Sequence, residues 1–263
     1  MGASQISLAK CISCKLRDQS FCGAARGEAF EELAEISQIR TYAAGETIVV
    51  QGGNSTRVGR VLRGVLKIVK SLPDGRDQII GLAHPSEFFG RLYSASSDYS
   101  IEAATDVALC TIDRLAFEKL LHRNPAFEHQ THLLSLRQLD NARERIMLLA
   151  CQSTAERLAS YLALRMLQGR EPRYSKDGRA IVHSPISRRD FAGYLSTTVE
   201  TVSRNVQSLA RSGVIRIIDS GTFEILQADE LIRCSGQSEE DLRATVALHA
   251  GSEPAYSAVR MLA

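Results

Sequence analysis

The sequence predicts an α+β chain: an N-terminal antiparallel β-roll, a long helix, and a C-terminal pair of short helices followed by a β-hairpin. Three observations carry this prediction. Between about residues 41 and 112, short β-rich runs alternate with Gly-rich punctuation. From 125 to 150 a helical pattern runs unbroken. From Ser187 to Leu226, two helical stretches separated by a tight break precede two β-rich runs joined by Asp219-Ser220-Gly221.

Taken in order, residues 1–26 hold a cysteine cluster among Gly and Arg and look loop-like. Residues 28–40 place Phe30, Leu33, Ile36 and Ile39 at helical spacing, which predicts an amphipathic helix. The runs Thr47–Val50, Arg60–Leu62, Val65–Val69, Gln78–Leu82 and Val107–Ile112 read as strands. Ala44-Gly45, Gly52-Gly53, Gly64, Pro73-Asp74-Gly75 and Gly90 punctuate them, and many short strands so closely spaced suggest a roll or barrel. Helix returns after Asp113, first as a segment to His122 and then as the long helix over 125–150. Within it Leu136, Leu139, Arg143, Ile146 and Ala150 step by 3, 4, 3, 4, the seam of a paired helix, with Asp140 beside Arg143 to set register. A single amphipathic helix packed on its own domain is the competing reading.

The next helix, 154–168, carries Leu158, Tyr161, Leu162 and Arg165, and a polar loop over 169–179 marks an internal boundary. Ser187 with Asp190 starts a helix over Arg188–Leu195 in the manner of a capping box. Ser196-Thr197 breaks it, Thr198–Arg211 forms the second helix, and Gly213 stops that one. Ile215–Ile218 and Thr222–Leu226 make the hairpin, completing a winged helix-turn-helix order. One further helical stretch lies near Glu239–His249. The chain therefore divides into a cysteine segment (1–26), a roll domain (27–124), a pairing helix (125–150), a winged helix-turn-helix domain (151–235) and an extension without an assigned role (236–263).

Composition narrows the function classes. With 263 residues, 44% hydrophobic and 24% charged, the chain suits two modest globular domains. No apolar run approaches the ~18 residues of a membrane helix. Residues 1–15 lack a secretory apolar stretch, so the reading is a cytoplasmic chain with reduced thiols and no membrane partner. A net charge of +2 identifies no partner by itself, so nucleic-acid binding requires a local basic patch. No nucleophile–base pairing, Walker loop or dinucleotide fingerprint is present, and the chain is not read as an enzyme.

That patch lies on the second helix of the pair. Val199, Val202, Val206 and Leu209 step by 3, 4, 3 and are expected to face the core. Glu200, Ser203, Arg204, Gln207 and Arg211 fall on another side. Arg204 can donate twice to guanine, Glu200 can accept from cytosine N4, and Ser203 can do either. All three sit in the N-terminal half, the part a recognition helix presents to bases. From Arg188 to Arg216 five arginines stand against two acids. Arg188, Arg189 and Arg211 are expected to hold phosphates.

Cysteine usage points to ligation or redox chemistry. Cys11-x2-Cys14-x7-Cys22 puts three thiols in one short segment, and Cys110, in the last strand of the roll, is the best fourth ligand. A structural zinc and an iron–sulfur cluster both suit four thiolates, and spacing does not separate them. Cys151 and Cys234 have no close partner in sequence, and Cys151 reads as a buried small hydrophobe.

Roll, long helix and winged helix-turn-helix together resemble the CRP/FNR superfamily of bacterial transcription regulators over residues 11–235. The resemblance rests on Ala44-Gly45-Glu46, Arg63-Gly64, Glu87-Phe88-Phe89-Gly90-Arg91, Val199-Glu200-Thr201-Val202-Ser203-Arg204 and the four cysteines. The seven-residue gap before Cys22 resembles the FnrN/FnrL type within the FNR branch. The resemblance implies a cyclic-nucleotide-binding-like roll as sensory domain and one oxygen-labile 4Fe–4S cluster per chain on Cys11, Cys14, Cys22 and Cys110. It implies a homodimer whose Glu200, Ser203 and Arg204 read a TTGAT-N4-ATCAA-like palindrome in double-stranded DNA. It also implies loss of the cluster, the dimer and DNA affinity in oxygen, activation of microaerobic or anaerobic genes, including those of nitrogen fixation, and contact of the Ser71–Gly75 loop with RNA polymerase. Cyclic-nucleotide members place an Arg-Ser or Arg-Thr pair where this chain has Asp98-Tyr99-Ser100-Ile101-Glu102, so cAMP is not expected. Two other sensing modes on the same fold stand beside this one: haem held through His122, His129 or His132, and a thiol switch among Cys11, Cys14 and Cys22.

Overall fold

The computed structural model of the chain describes residues 4–5, 8–18, 20–168 and 173–250. Strand β1 (Ser4–Gln5), helix α1 (Leu8–Ile12), a 3-10 turn (Phe21–Ala24) and α2 (Glu28–Glu35) come first. Eight strands follow: β2 (Ser37–Tyr42), β3 (Thr47–Val49), β4 (Arg57–Arg63), β5 (Leu66–Ser71), β6 (Asp77–Ala83), β7 (Phe88–Phe89), β8 (Ser100–Ala103) and β9 (Val107–Asp113). Helices α3 (Arg114–Arg123), α4 (Pro125–Cys151) and α5 (Thr154–Gln168) lead to β10 (Arg173–Tyr174) and β11 (Ala180–His183). The chain continues through α6 (Arg188–Tyr194), α7 (Val199–Arg211), β12 (Ile215–Ile217), β13 (Thr222–Ile225), α8 (Ala228–Cys234) and α9 (Glu239–Ala250). Roll, long helix and winged helix-turn-helix are thus all present, as predicted.

These residues form two compact units, one running to Leu134 and including Pro185–Ser196, the other comprising Ser135–Ser184 and the residues from Thr197. In the first, two antiparallel sheets of order β1-β2-β9-β4-β7 and β3-β8-β5-β6 share a core of Val49, Val61, Leu66, Phe89, Ile101 and Leu109. A second core joins the cysteine segment to the helices. In it Phe21 meets Phe117 edge-on at 5.3 Å, and Phe30, Leu33, Ile112, Leu120 and Phe127 close around them. Asp113 caps α3 by accepting from the Ala116 N–H at 3.0 Å, which turns the last strand directly into helix. Also in this unit, Asp190 of α6 takes a 2.8 Å ion pair from Lys67 on β5. In the second unit, α5 packs against α7, α8, α9 and β11, beside a sheet of order β10-β11-β13-β12.

Several local expectations need correction. The helix read over 28–40 ends at Glu35, and residues 37–42 pair with β9 from Ser37↔Ile112 to Tyr42↔Val107. Extended backbone wins there because all six residues of the strand pair in register with β9, while Ser37 Oγ donates to the Leu33 carbonyl at 2.6 Å and closes the helix. The cysteine segment is not simply loop: Cys11 lies on α1 and Cys22 in the 3-10 turn. Part of the loop read over 169–179 is β10, paired with β11; residues 169–172 lie outside the described set. In the C-terminal extension α9 is present, and residues 251–263 lie outside the described set. Cys151, read as buried, is exposed. Among the described residues no helix is long and apolar enough to cross a membrane.

Candidate functional site

Two sets of side chains carry chemistry, and the cysteines form the first. Cys110 is buried on β9, where its cross-strand partners are Ile39 on β2 and Arg60 on β4. Paired residues of an antiparallel ladder share a face, so Arg60 and Cys110 lie on the same side of the sheet. Arg60 is only 3% exposed. Its Nη1 donates to the Leu16 carbonyl at 3.0 Å and to Ser20 Oγ at 2.6 Å, and its Nη2 donates to Cys14 Sγ at 3.0 Å. Its Nε is buried without a hydrogen-bond partner among the described residues. Cys22 is buried, and Cys11 and Cys14 are half-buried; all four thiols are free.

These four thiols and Arg60 form one electrostatic neighbourhood. Burial pushes the Cys22 thiol up to about 12, against the opposing pull of Arg60, with Cys110 and Cys11 adding to the rise. Burial likewise raises Cys110 and Cys11, and Arg60 pulls both down. The arginine itself is raised by Cys22, Cys110 and Cys14 against its own burial. No three His, Cys, Asp or Glu side chains among the described residues stand at metal-holding spacing. In donor chemistry alone the four residues suit a thiolate-held metal centre, zinc or iron–sulfur. The donors are soft sulfurs, and the buried Arg60 guanidinium, bonded to Cys14, has no anionic partner among the described residues. Metal binding would supply one by converting thiols to thiolates.

Helix α7 carries the second set. Ser196, at φ +53°, makes the left-handed turn into the helix. Thr198 then caps it, accepting from the Thr201 N–H at 3.2 Å. Val202 and Val206 are buried and Leu209 half-buried, as read from their spacing. Val199, expected in the core, is 36% exposed at the first position of the helix. Glu200, Ser203, Arg204, Gln207 and Arg211 all lie on the exposed side. The Glu200 carboxyl is held below the usual range by its own backbone N–H and the Thr198 hydroxyl, with Arg204 adding to the effect. It is therefore an anionic acceptor at neutral pH. Arg204 Nη2 donates to Thr201 Oγ1 at 3.2 Å. Arg189 is exposed and Arg188 half-buried, whereas Arg216 on the wing pairs with Glu224 (Nε to Oε2, 2.6 Å).

On α4, Leu136 is 57% exposed, Leu139 45% and Ile146 64%, with Arg143 and Ala150 exposed on the same row. Arg143 pairs with Asp140 at 3.1 Å. In the roll, Asp98 pairs with Arg91 and Glu102 with Lys67 at 3.3 Å, so acids of the stretch 98–102 are engaged with the chain's own bases. His122, His129 and His132 are all exposed. Sequence reasoning placed Arg60 on a strand and gave it no role. The available signal was an arginine inside a run of buried strand residues, Val58 to Val61.

Two family models match the chain: a cyclic nucleotide-binding domain over residues 39–124 and a Crp-like helix-turn-helix domain over 156–234. A "probable transcriptional activator" of Rhizobium leguminosarum bv. viciae is 35% identical over 223 residues, covering 85% of this chain and 92% of the relative. The chain belongs to the CRP/FNR superfamily of transcription regulators. Within this superfamily it is similar to the transcriptional activator protein FnrL of Cereibacter sphaeroides, at 33% identity over 80% of this chain and 85% of the relative. The structure of FixK2 from Bradyrhizobium japonicum superposes with a TM-score of 0.69 at 25% identity, covering 77% of this chain and 99% of that one. CRP/FNR proteins are DNA-binding regulators, not enzymes.

Proposed function

We propose that this chain is an oxygen-responsive transcription regulator, mainly an activator of microaerobic and anaerobic genes, working from the cytoplasm as a homodimer on palindromic DNA. Cys11, Cys14, Cys22 and Cys110 would hold one 4Fe–4S cluster per chain. The observation that supports this reading is one buried guanidinium, Arg60, that bonds Cys14 and stands opposite Cys110 in the ladder, with the free thiols of Cys11 and Cys22 in the same electrostatic neighbourhood. Bound there, the cluster would supply an oxygen-labile tie between the N-terminal segment and the roll.

The chain's own residues do the rest. The row Leu136, Leu139, Arg143, Ile146 and Ala150 pairs two copies. Glu200, Ser203 and Arg204 of each copy read one half-site of a TTGAT-N4-ATCAA-like palindrome, the two half-sites about one helical turn apart. Arg188, Arg189 and Arg211 hold phosphates and set register, and the Ser71–Gly75 turn, exposed from Leu72 onward, meets RNA polymerase. A tie that stabilises only the pairing-competent form shifts the population toward it, and DNA affinity follows.

The test is anaerobic purification with absorption, iron and sulfide assays, followed by exposure to air. A broad visible absorption that bleaches in air, with about four irons per chain, is expected. A sharp Soret band would transfer sensing to haem, and a colourless iron-free chain would leave a thiol switch.

A further inference from the structure

We propose that Arg60 is the positioning residue of the four-cysteine site, stapling the cysteine segment to the roll and supplying buried positive charge to whatever the thiolates hold. The stapling role stands on the hydrogen bonds alone, whereas the charge role rests on the iron–sulfur reading above.

Strand β4 carries three arginines, Arg57, Arg60 and Arg63, and only Arg60 is buried. Burying a guanidinium is unfavourable unless it is paired with negative charge or fully hydrogen-bonded. No ion pair to Arg60 exists among the described residues, and its Nε has no partner there. Its contacts are instead to the cysteine segment: the Leu16 carbonyl, Ser20 Oγ and Cys14 Sγ. Leu16 and Ser20 lie between Cys14 and Cys22, so one planar fork fixes the stretch that separates two of the ligand candidates. On its own sheet Arg60 stands opposite the fourth candidate, Cys110. A neutral thiol is a weak acceptor, whereas a thiolate makes a charge-assisted bond with a guanidinium. The fork therefore holds the stretch between Cys14 and Cys22 against the strand that faces Cys110, with its positive charge beside the sulfur donors.

The consequences can be read separately. A 4Fe–4S core on four thiolates is net negative, so a neighbouring cation favours its reduced form. Removing that cation moves the midpoint potential to more negative values. Wild type, Arg60→Met, Arg60→Lys and Ser20→Ala would be compared anaerobically for iron and sulfide content and midpoint potential. The metal-free proteins would be compared for tryptic cleavage after Lys15 and Arg17, with circular dichroism as the check on folding. Arg60→Met is expected to be cut about tenfold faster there, to retain less iron and to show a more negative midpoint. Arg60→Lys keeps the charge but not the fork, so it should be cut faster while holding a midpoint close to wild type. Ser20→Ala removes one acceptor and should move cleavage but not potential, which keeps the test decisive if Arg60→Met misfolds. Wild-type cleavage in Arg60→Lys and Ser20→Ala overturns the staple. An unchanged midpoint in folded, iron-loaded Arg60→Met overturns the charge role and leaves the iron–sulfur reading intact. Iron-free wild type overturns that reading together with the charge role, while the cleavage arm still decides the staple.

Discussion

At the scale of single residues, the proposed site depends on one sulfur held in a ladder. Cys110 sits between Ile39 and Arg60 in register on β9, so it cannot move without disturbing both neighbouring strands. Replacing it with serine exchanges a soft donor for a hydroxyl of similar size. Cys110→Ser is expected to abolish iron binding, read as loss of visible absorption and of assayed iron, while the isolated C-terminal domain stays folded. A brown, iron-replete variant would remove Cys110 from the ligand set. On α7, Arg204→Ala should lose about 1–3 kcal/mol of discrimination at a single guanine and relax preference there. Binding titrations on operators altered at that base give the answer, and unchanged discrimination would reassign Arg204 to a phosphate. Much of this was legible in the sequence, because x2 and x7 spacing needs no tertiary information and the polar face of α7 follows from helical periodicity. Arg60 was not legible. An arginine in a strand reads as an outward, snorkelling residue until the neighbouring segment is known to cover it.

Elements show where local pattern and tertiary pairing diverge. The apolar spacing of Phe30, Leu33, Ile36 and Ile39 suits a helix, yet only the first two are buried on one. Ile39 belongs to a strand because β9 offers a complete ladder, a nonlocal fact that no window of residues contains. Two-residue strands such as β7 and β10 escaped for the same reason: their extended conformation is imposed by partners. Helix starts were clearer, since a cap is a local event. Thr198→Ala should destabilise α7 by about 1 kcal/mol through loss of the bond to Thr201 N–H, visible as a lower thermal midpoint and weaker DNA binding. Between β4 and β9 the backbones approach so closely that a Cβ at Gly59 would run into the carbonyl oxygen of Cys110. Gly59→Ala is therefore expected to cost about 1–3 kcal/mol and to impair metal loading through a displaced Cys110 backbone, checked by denaturant titration alongside an iron assay.

For the molecule as a whole, the proposed pairing turns on α4. Arg143→Glu would set a second acid beside Asp140 where an ion pair now stands, and should weaken self-association in sedimentation velocity. An unchanged profile would place the seam elsewhere. Beyond the seam, α4 ends at Cys151 and α5 begins at Thr154, so only Gln152 and Ser153 separate them. Neither is loose. Gln152 Nε2 donates to the Ser235 carbonyl at 2.8 Å, and Ser153 exchanges hydrogen bonds with Glu156 in a capping box. Because α5 packs directly on α7, this stiff joint ties the C-terminal end of α4 to α7. The wet row of Leu136, Leu139 and Ile146 has one further consequence, which concerns the cell more than the fold. If pairing is weak, the paired form varies with the square of the chain's abundance, and halving the number of copies lowers it about fourfold. On the proposed reading, expression level then becomes an input alongside oxygen, and a gene that controlled its own promoter through this helix would respond more steeply than its sensor alone allows.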